Sequence, residues 1–179
     1  KPMPRQVAEI WDIGNSKLLE SSERCAKVDT WRGWPQGTAY TLAEDGFLSA
    51  PALGGSTGIA FAVNAPTRGG LMQTGFHFRS KQTKRWQFFP NSKAHRSGIC
   101  PIPFILGAGY LPTAKTVVIT EGQWDSVALA ASMGWLASDS AWPEDFVTMG
   151  VLGASNWRKV FEVFAWPLNA CAVLIPDND

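Results

Sequence analysis

Three carboxylates stand out by where they fall. Glu121 follows directly on the β-branched run Thr116-Val117-Val118-Ile119-Thr120, and Asp177 and Asp179 follow on the apolar run Cys171 to Ile175. Asp177 and Asp179 are two apart, so in extended backbone they point the same way, with Asn178 turned opposite. Carboxylates that meet in one place repel one another unless a cation neutralises them. Mg²⁺ suits such a set, because it takes hard oxygen ligands, keeps several waters and bridges to phosphates. A metal held there orients a phosphate and stabilises the charge that develops in phosphoryl transfer. Asp125 lies one helical turn beyond Glu121. It either joins the metal site or caps and pairs near a helix N-terminus, where negative charge is favoured. Gly153-Ala154-Ser155-Asn156 has a similar pair of readings: its backbone N–H groups hold a phosphate, or Ser155 merely caps the helix that follows.

The elements that must position these acids are legible around them. Thr116 to Thr120 has the composition of a strand buried on both faces. Ser126 to Leu136 is Ala-rich and predicts a helix, Phe146 to Leu152 a second strand, Asn156 to Trp166 a second helix, and Cys171 to Ile175 a third strand. That alternation implies a parallel sheet with right-handed crossovers. Ligands of such a sheet bind beyond the carboxyl ends of its strands, which is where Glu121, Gly122, Asp177 and Asp179 fall. Ahead of this region, Lys1 to Pro35 shows helical spacing, with Ile10, Ile13, Leu18 and Leu19 expected on inner faces. Pro35 fits the first turn of a helix continuing through Thr38 to Ala43, with Gly46 ending it. From Phe47 to Pro90 the pattern turns to strands. Ile59 to Val63 is one, and Thr74 to Lys81 with Trp86 to Phe89 reads as an antiparallel hairpin. Phe76 and Phe78 lie on its apolar face, and His77, Arg79 and Lys81 on a basic one. The expected fold is therefore α/β: an α+β amino-terminal lobe over residues 1–112, then a parallel α/β sheet over residues 113–179.

Arg79, Lys81, Lys84, Arg85, Lys93 and Arg96 gather in that hairpin and its exit. Lys and Arg neutralise phosphates and release counterions, giving affinity without sequence preference. Trp86 or His77 among them could stack on a base. The plainer alternative is a solvated face that keeps a strand soluble. The whole chain carries a formal charge of only +1, so nucleic-acid binding must rest on such local clusters.

Other chemistries find little footing. Three scattered cysteines and two isolated histidines give no zinc-ligand pair and no disulfide framework. There is no P-loop and no nucleophile elbow. No stretch is long and apolar enough to span a bilayer, and no signal peptide is evident, so the chain reads as soluble and cytoplasmic. With 45% apolar residues over 179 positions it can bury a core, in which most of its nine tryptophans are expected. The first residue is Lys rather than Met, which fits a piece cut from something longer.

Thr120-Glu121-Gly122-Gln123-Trp124-Asp125-Ser126, followed by Ile175-Pro176-Asp177-Asn178-Asp179, resembles the Toprim signature: a Glu-Gly ending one strand and an Asp-x-Asp ending a later one. The resemblance covers roughly residues 115–179. Ahead of it, Thr30-Trp31-Arg32-Gly33-Trp34-Pro35 resembles the Arg-Gly segment near the start of bacterial and phage primase cores. Ile59-Ala60-Phe61 and Gly75-Phe76-His77-Phe78-Arg79-Ser80 look like strands of the basic amino-terminal subdomain of those cores. The chain is thus similar to a DnaG-type primase core that stops at the last acid of its Toprim motif. In that family a zinc-binding domain precedes this region, and a further helix, strand and helical lobe follow it.

What the resemblance implies is a nucleotidyltransferase: Mg²⁺-dependent, template-directed synthesis of short RNA primers on single-stranded DNA from ribonucleoside triphosphates, with Mn²⁺ as an alternative metal. Glu121, Asp177 and Asp179, with Asp125 as a further ligand, would hold the metal. Arg79, Lys81, Lys84, Arg85, Lys93 and Arg96, with Gly122 and Ser155, would contact nucleotide or template. A replicative helicase, in cis or in trans, is a further partner open to such a protein, and a membrane is not. Two alternatives use the same residues: a Toprim-family nuclease, and a non-catalytic module that binds single-stranded DNA or a replication partner.

Overall fold

The computed structural model describes residues 2–67, 70–90, 103–137, 139–153, 156–163 and 169–176. Two helices open the chain, α1 (Arg5–Leu19) and α2 (Ser22–Arg32), and a short α3 (Thr38–Glu44) follows. Ser21 starts α2 by accepting a hydrogen bond from the Arg24 N–H at 3.3 Å. Gly33 ends it in the left-handed conformation, φ 67°, which a residue with a β-carbon adopts only at a cost. That reversal sends Trp34 inward while Arg32 stays on the last turn of α2. On α1, Leu18 is buried as expected, but Ile13 and Leu19 are 59% and 38% exposed. The stripe that α1 buries runs through Trp11, Gly14 and Leu18, a spacing of three and four residues that leaves Ile13 on the far side.

The first sheet is antiparallel. Its strands are β1 (Leu48–Ser49), β2 (Ala52–Leu53), β3 (Ser56–Thr67), β4 (Gly70–Ser80) and β5 (Trp86–Phe89), ordered β1-β3-β4-β5 with β2 on β3. Phe61 stands opposite His77 and Ala60 opposite Phe78, so the alternation expected of the hairpin is present. The basic face expected to carry His77, Arg79 and Lys81 is open at Lys81 only: Arg79 is half-buried and His77 is covered. Ala60, Ala62, Phe76 and Phe78 pack with Trp11 of α1 on one side. On the other side Ile59 and Phe61 join a second cluster, and His77, opposite Phe61, is only 7% exposed. Both faces are covered because helices flank the sheet on each side.

The second sheet contains β6 (Phe104–Leu106), β7 (Thr116–Thr120), β8 (Phe146–Gly150) and β9 (Cys171–Ile175) in the order β6-β8-β7-β9. β7 pairs in parallel with both β8 and β9, and β6 runs antiparallel to β8. The fold is α/β, with the parallel strands that the alternating pattern implied. β6 precedes residue 112 in the chain, yet it forms an edge of this sheet. Helix α4 (Gln123–Ser132) connects β7 to β8, and α5 (Trp157–Val163) follows β8. Val117, Ile119, Val147 and Met149 pack with Val160 of α5 on one face of the sheet. On the other, Phe104 and Leu106 pack with Trp124 and Val127 of α4 and with Phe61 of the first sheet. No helix of the described residues is long and apolar enough to cross a membrane.

Candidate active site

Glu121 is the residue after β7, and Thr120 at the end of that strand stands in register with Ile175 at the end of β9. Parallel pairing in register means that the chain leaving β7 through Glu121 and the chain leaving β9 through Pro176 emerge at the same end of the sheet. Asp177 and Asp179 themselves lie outside the described residues, as do Lys93, Arg96 and Ser155. Among the described residues no group of three or more His, Cys, Asp or Glu is assembled that could hold a metal ion. A hollow of about 450 Å³ opens at this end, with Glu121, Pro176, Ile175 and Trp157 among its walls.

The turn that carries Glu121 is fastened from several sides. Thr120, 2% exposed, aims its hydroxyl at the Gly122 carbonyl at 3.0 Å and shares a 2.7 Å hydrogen bond with Ser126 Oγ. The Thr120 carbonyl accepts from the Val151 N–H at 3.1 Å, and the Glu121 carbonyl from the Gly153 N–H at 2.8 Å. Gly153 therefore spends its N–H on this turn, and Asn156 donates its own back to the Gly153 carbonyl. Those two N–H groups of the 153–156 loop are committed within the protein rather than turned outward to a phosphate. Asp125 takes the capping role of its two readings: its Oδ2 accepts from the Gly122 N–H at 2.9 Å in the first turn of α4.

Trp124 couples this turn to the amino-terminal lobe. Its ring is 7% exposed and meets Phe61 at 4.7 Å, Trp34 at 5.4 Å, Trp31 at 5.6 Å and Trp86 at 5.9 Å between centroids. Gln123 makes a second tie, its amide nitrogen 3.1 Å from His77 Nδ1; an imidazole whose Nδ1 accepts completes that bond. The His77 ring stacks on Phe88 at 4.0 Å and on Trp86 at 4.3 Å. It is thereby enclosed by protein, which corrects its reading as a surface that stacks on bases.

Two arginines converge on the same aromatic group. The Arg32 guanidinium lies 4.1 Å from the Trp124 ring centre, and that of Arg79 lies 5.6 Å from Trp86. The Nε of each is buried without a hydrogen-bond partner. Burial first, then the charge of Arg79, lowers the pKa of Arg32, and Asp125 acts in the opposite direction. Two cations brought together with unused donors favour the approach of an anion. Lys81, Lys84 and Arg85 are exposed in and just after the turn that follows β4. That turn is tied down: Ser80 Oγ accepts from the N–H groups of Gln82 and Thr83, and Lys84 donates its N–H to the Ser80 carbonyl.

Arg32, Thr120, Ser126 and Gly150 also stand around this turn or pack on the Trp124 that follows it, and the sequence did not assign them to the site. Arg32 had a signal, since it sits directly before the Gly33 that ends α2. Gly150, which the sequence placed inside a strand running to Leu152, had none, although it passes against the Gly122 backbone. Its importance lies in a tertiary approach that no local pattern reveals. No protein-family model matches this chain, and no curated protein matches it closely enough to count as a relative.

Proposed function

We propose that this chain is part of a Mg²⁺-dependent primase core of the Toprim kind, extending short RNA primers on a single-stranded DNA template from ribonucleoside triphosphates. One observation carries the reading. The strands leading to Glu121 and to the Asp177-Asn178-Asp179 motif are hydrogen-bonded parallel neighbours in register, Thr120 beside Ile175. Two acidic motifs distant in sequence thus follow strands that end together, beyond which α/β sheets bind ligands. The donor set is all carboxylate oxygen, which fits Mg²⁺ better than a softer metal. Glu121, Asp177 and Asp179 would hold it, and the bound metal would neutralise and orient the triphosphate.

The chain's own groups account for the remaining tasks. The hydroxyl of Thr120 and the carboxylate of Asp125 fix the Gly122 backbone, so the turn that carries the acid is set before any ligand arrives. Arg32, over the Trp124 ring and within electrostatic reach of Asp125, offers cationic charge near that turn, and Arg79 stands close to Arg32. Positioning and charge stabilisation are the dominant contributions to phosphoryl transfer, so this division of labour suits the reaction.

The test incubates the protein with single-stranded DNA, labelled ribonucleotides and Mg²⁺, beside a Glu121→Ala variant. Short labelled RNA made only when Glu121 is intact is the expected result. DNA shortened in a Glu121-dependent manner, without RNA, would replace this reading with a nuclease. DNA bound with neither product would replace it with a binding module.

A further inference from the structure

Where the two halves of the molecule meet, a pair of buried polar side chains sits in aromatic surroundings. His77 lies in a row with its cross-strand neighbours Phe61 of β3 and Phe88 of β5, and its ring stacks on Phe88 with the planes 6° apart. Trp86 covers the same ring from the next position on that face of β5. A phenylalanine would fill this place and leave no polar atom to satisfy. Gln123, 2% exposed, is the first residue of α4 and follows directly on Gly122. Burying an imidazole and an amide costs free energy that their mutual 3.1 Å hydrogen bond offsets, so the pair adds little that a well-packed apolar pair would not. What the bond adds is direction. Apolar contact is non-directional and tolerates sliding, whereas a hydrogen bond weakens steeply as its angle closes.

We infer that His77 is a positioning residue for Glu121: by accepting from the Gln123 amide through Nδ1, it fixes where α4 starts and, with it, the turn that presents the acid. The inference rests on the proposed function for what Glu121 does, and it places a determinant of that acid in the amino-terminal lobe. The connection is short. Gly122, next to Gln123, has its N–H held by Asp125 and its carbonyl by the Thr120 hydroxyl. The Gln123 backbone nitrogen packs closely on Gly150 of β8. A shift of Gln123 therefore moves the Glu121-Gly122 turn against the segment that follows β8, where the Gly153 N–H holds the Glu121 carbonyl and the Val151 N–H holds the Thr120 carbonyl. The ring of Trp124 keeps the two lobes in contact, and the His77–Gln123 bond sets their register at the acid.

His77→Phe keeps a flat ring on Phe88 and removes the acceptor, and Gln123→Met keeps the side-chain length and removes the donor. RNA synthesis is measured at a temperature where every variant is folded by circular dichroism. Each single variant is expected to lower kcat about ten-fold with little change in the ribonucleotide KM, as a misplaced reacting group does. The double variant is expected to fall no further than the weaker single one, because both remove the same bond. His77→Asn, whose Oδ1 takes the place of Nδ1, is expected to recover about a third or more of the wild-type kcat. A second readout needs no activity: hydrogen exchange at the Val151 and Gly153 N–H groups, in metal-free buffer, is expected to quicken about ten-fold in His77→Phe and to return in His77→Asn. A merely structural role would instead quicken exchange at core positions such as Val147 and leave the kcat of the folded variants at the wild-type value. Unchanged exchange at Val151 and Gly153 overturns the inference, as does unchanged kcat in both single variants when Glu121→Ala abolishes synthesis. If the wild type makes no RNA, the proposed function falls and the exchange rates alone decide the role of His77.

Discussion

At Gly150 the last residue of β8 passes against the turn between β7 and α4. A β-carbon there would lie 2.7 Å from the Gly122 carbonyl group and 2.9 Å from the Gln123 nitrogen, contacts with backbone that no rotamer change relieves. Gly150→Ala is therefore expected to push the Glu121-Gly122 turn away from the sheet. The expected cost is ~1–3 kcal/mol of stability, typical of forcing extra volume into a packed site. Any Glu121-dependent activity should fall further than that loss of folded protein explains. Urea unfolding beside an activity assay at a temperature where the variant stays folded checks both parts, and unchanged stability would refute the contact. Glu121 and Gly122 were visible in the sequence as a motif, but the glycine that makes room for them was not. It belongs to a different strand, and its role exists only once β7 and β8 lie side by side.

Among the elements, α2 and α3 show how a buried acid can organise a turn. Asp29, 3% exposed, accepts hydrogen bonds from the N–H groups of Gly37 and Ala39, both at 2.8 Å, and so holds the start of α3 against α2. Burial raises its pKa from the ordinary 3.8 and outweighs those two bonds, which act to lower it. The folded state then keeps this proton to a higher pH than the unfolded chain does. Its contribution to stability falls as pH rises from about 3.8 through the raised folded value, and returns as pH falls through that window. In Asp29→Asn the slope is absent. The stability difference between wild type and Asp29→Asn should thus move in favour of the wild type between neutral pH and about pH 4. Urea titrations at a series of pH values test it, and a difference independent of pH would count against the assignment. Helices and parallel strands were legible here because their periods are local, as with Thr116 to Thr120 and the Ala-rich α4. The antiparallel edge strand β6 was not, since three residues carry no period. The covered state of His77 was hidden for another reason: alternation tells which residues share a face, and a second layer decides whether that face meets water.

On the scale of the whole molecule, one apolar cluster runs from Leu18 of α1 through Phe61 of the first sheet to Trp124 and Leu136 beyond the second sheet's first parallel strand. The two sheets share this cluster, so neither can lose its packing while the other keeps all of its own. Unfolding followed by far-ultraviolet circular dichroism and by tryptophan fluorescence is expected to give one coincident transition. Two separate midpoints would mean that the lobes unfold independently. The strand order carries a further consequence for a nascent chain. β7 is the central parallel strand, and both of its neighbours are made after it, with β9 ending about 55 residues later. At ~5–20 residues per second a ribosome needs roughly 3–11 s to cover that distance. Throughout that interval Val117, Val118 and Ile119 wait without their full ladder, which is the period in which a holdase chaperone has most to protect.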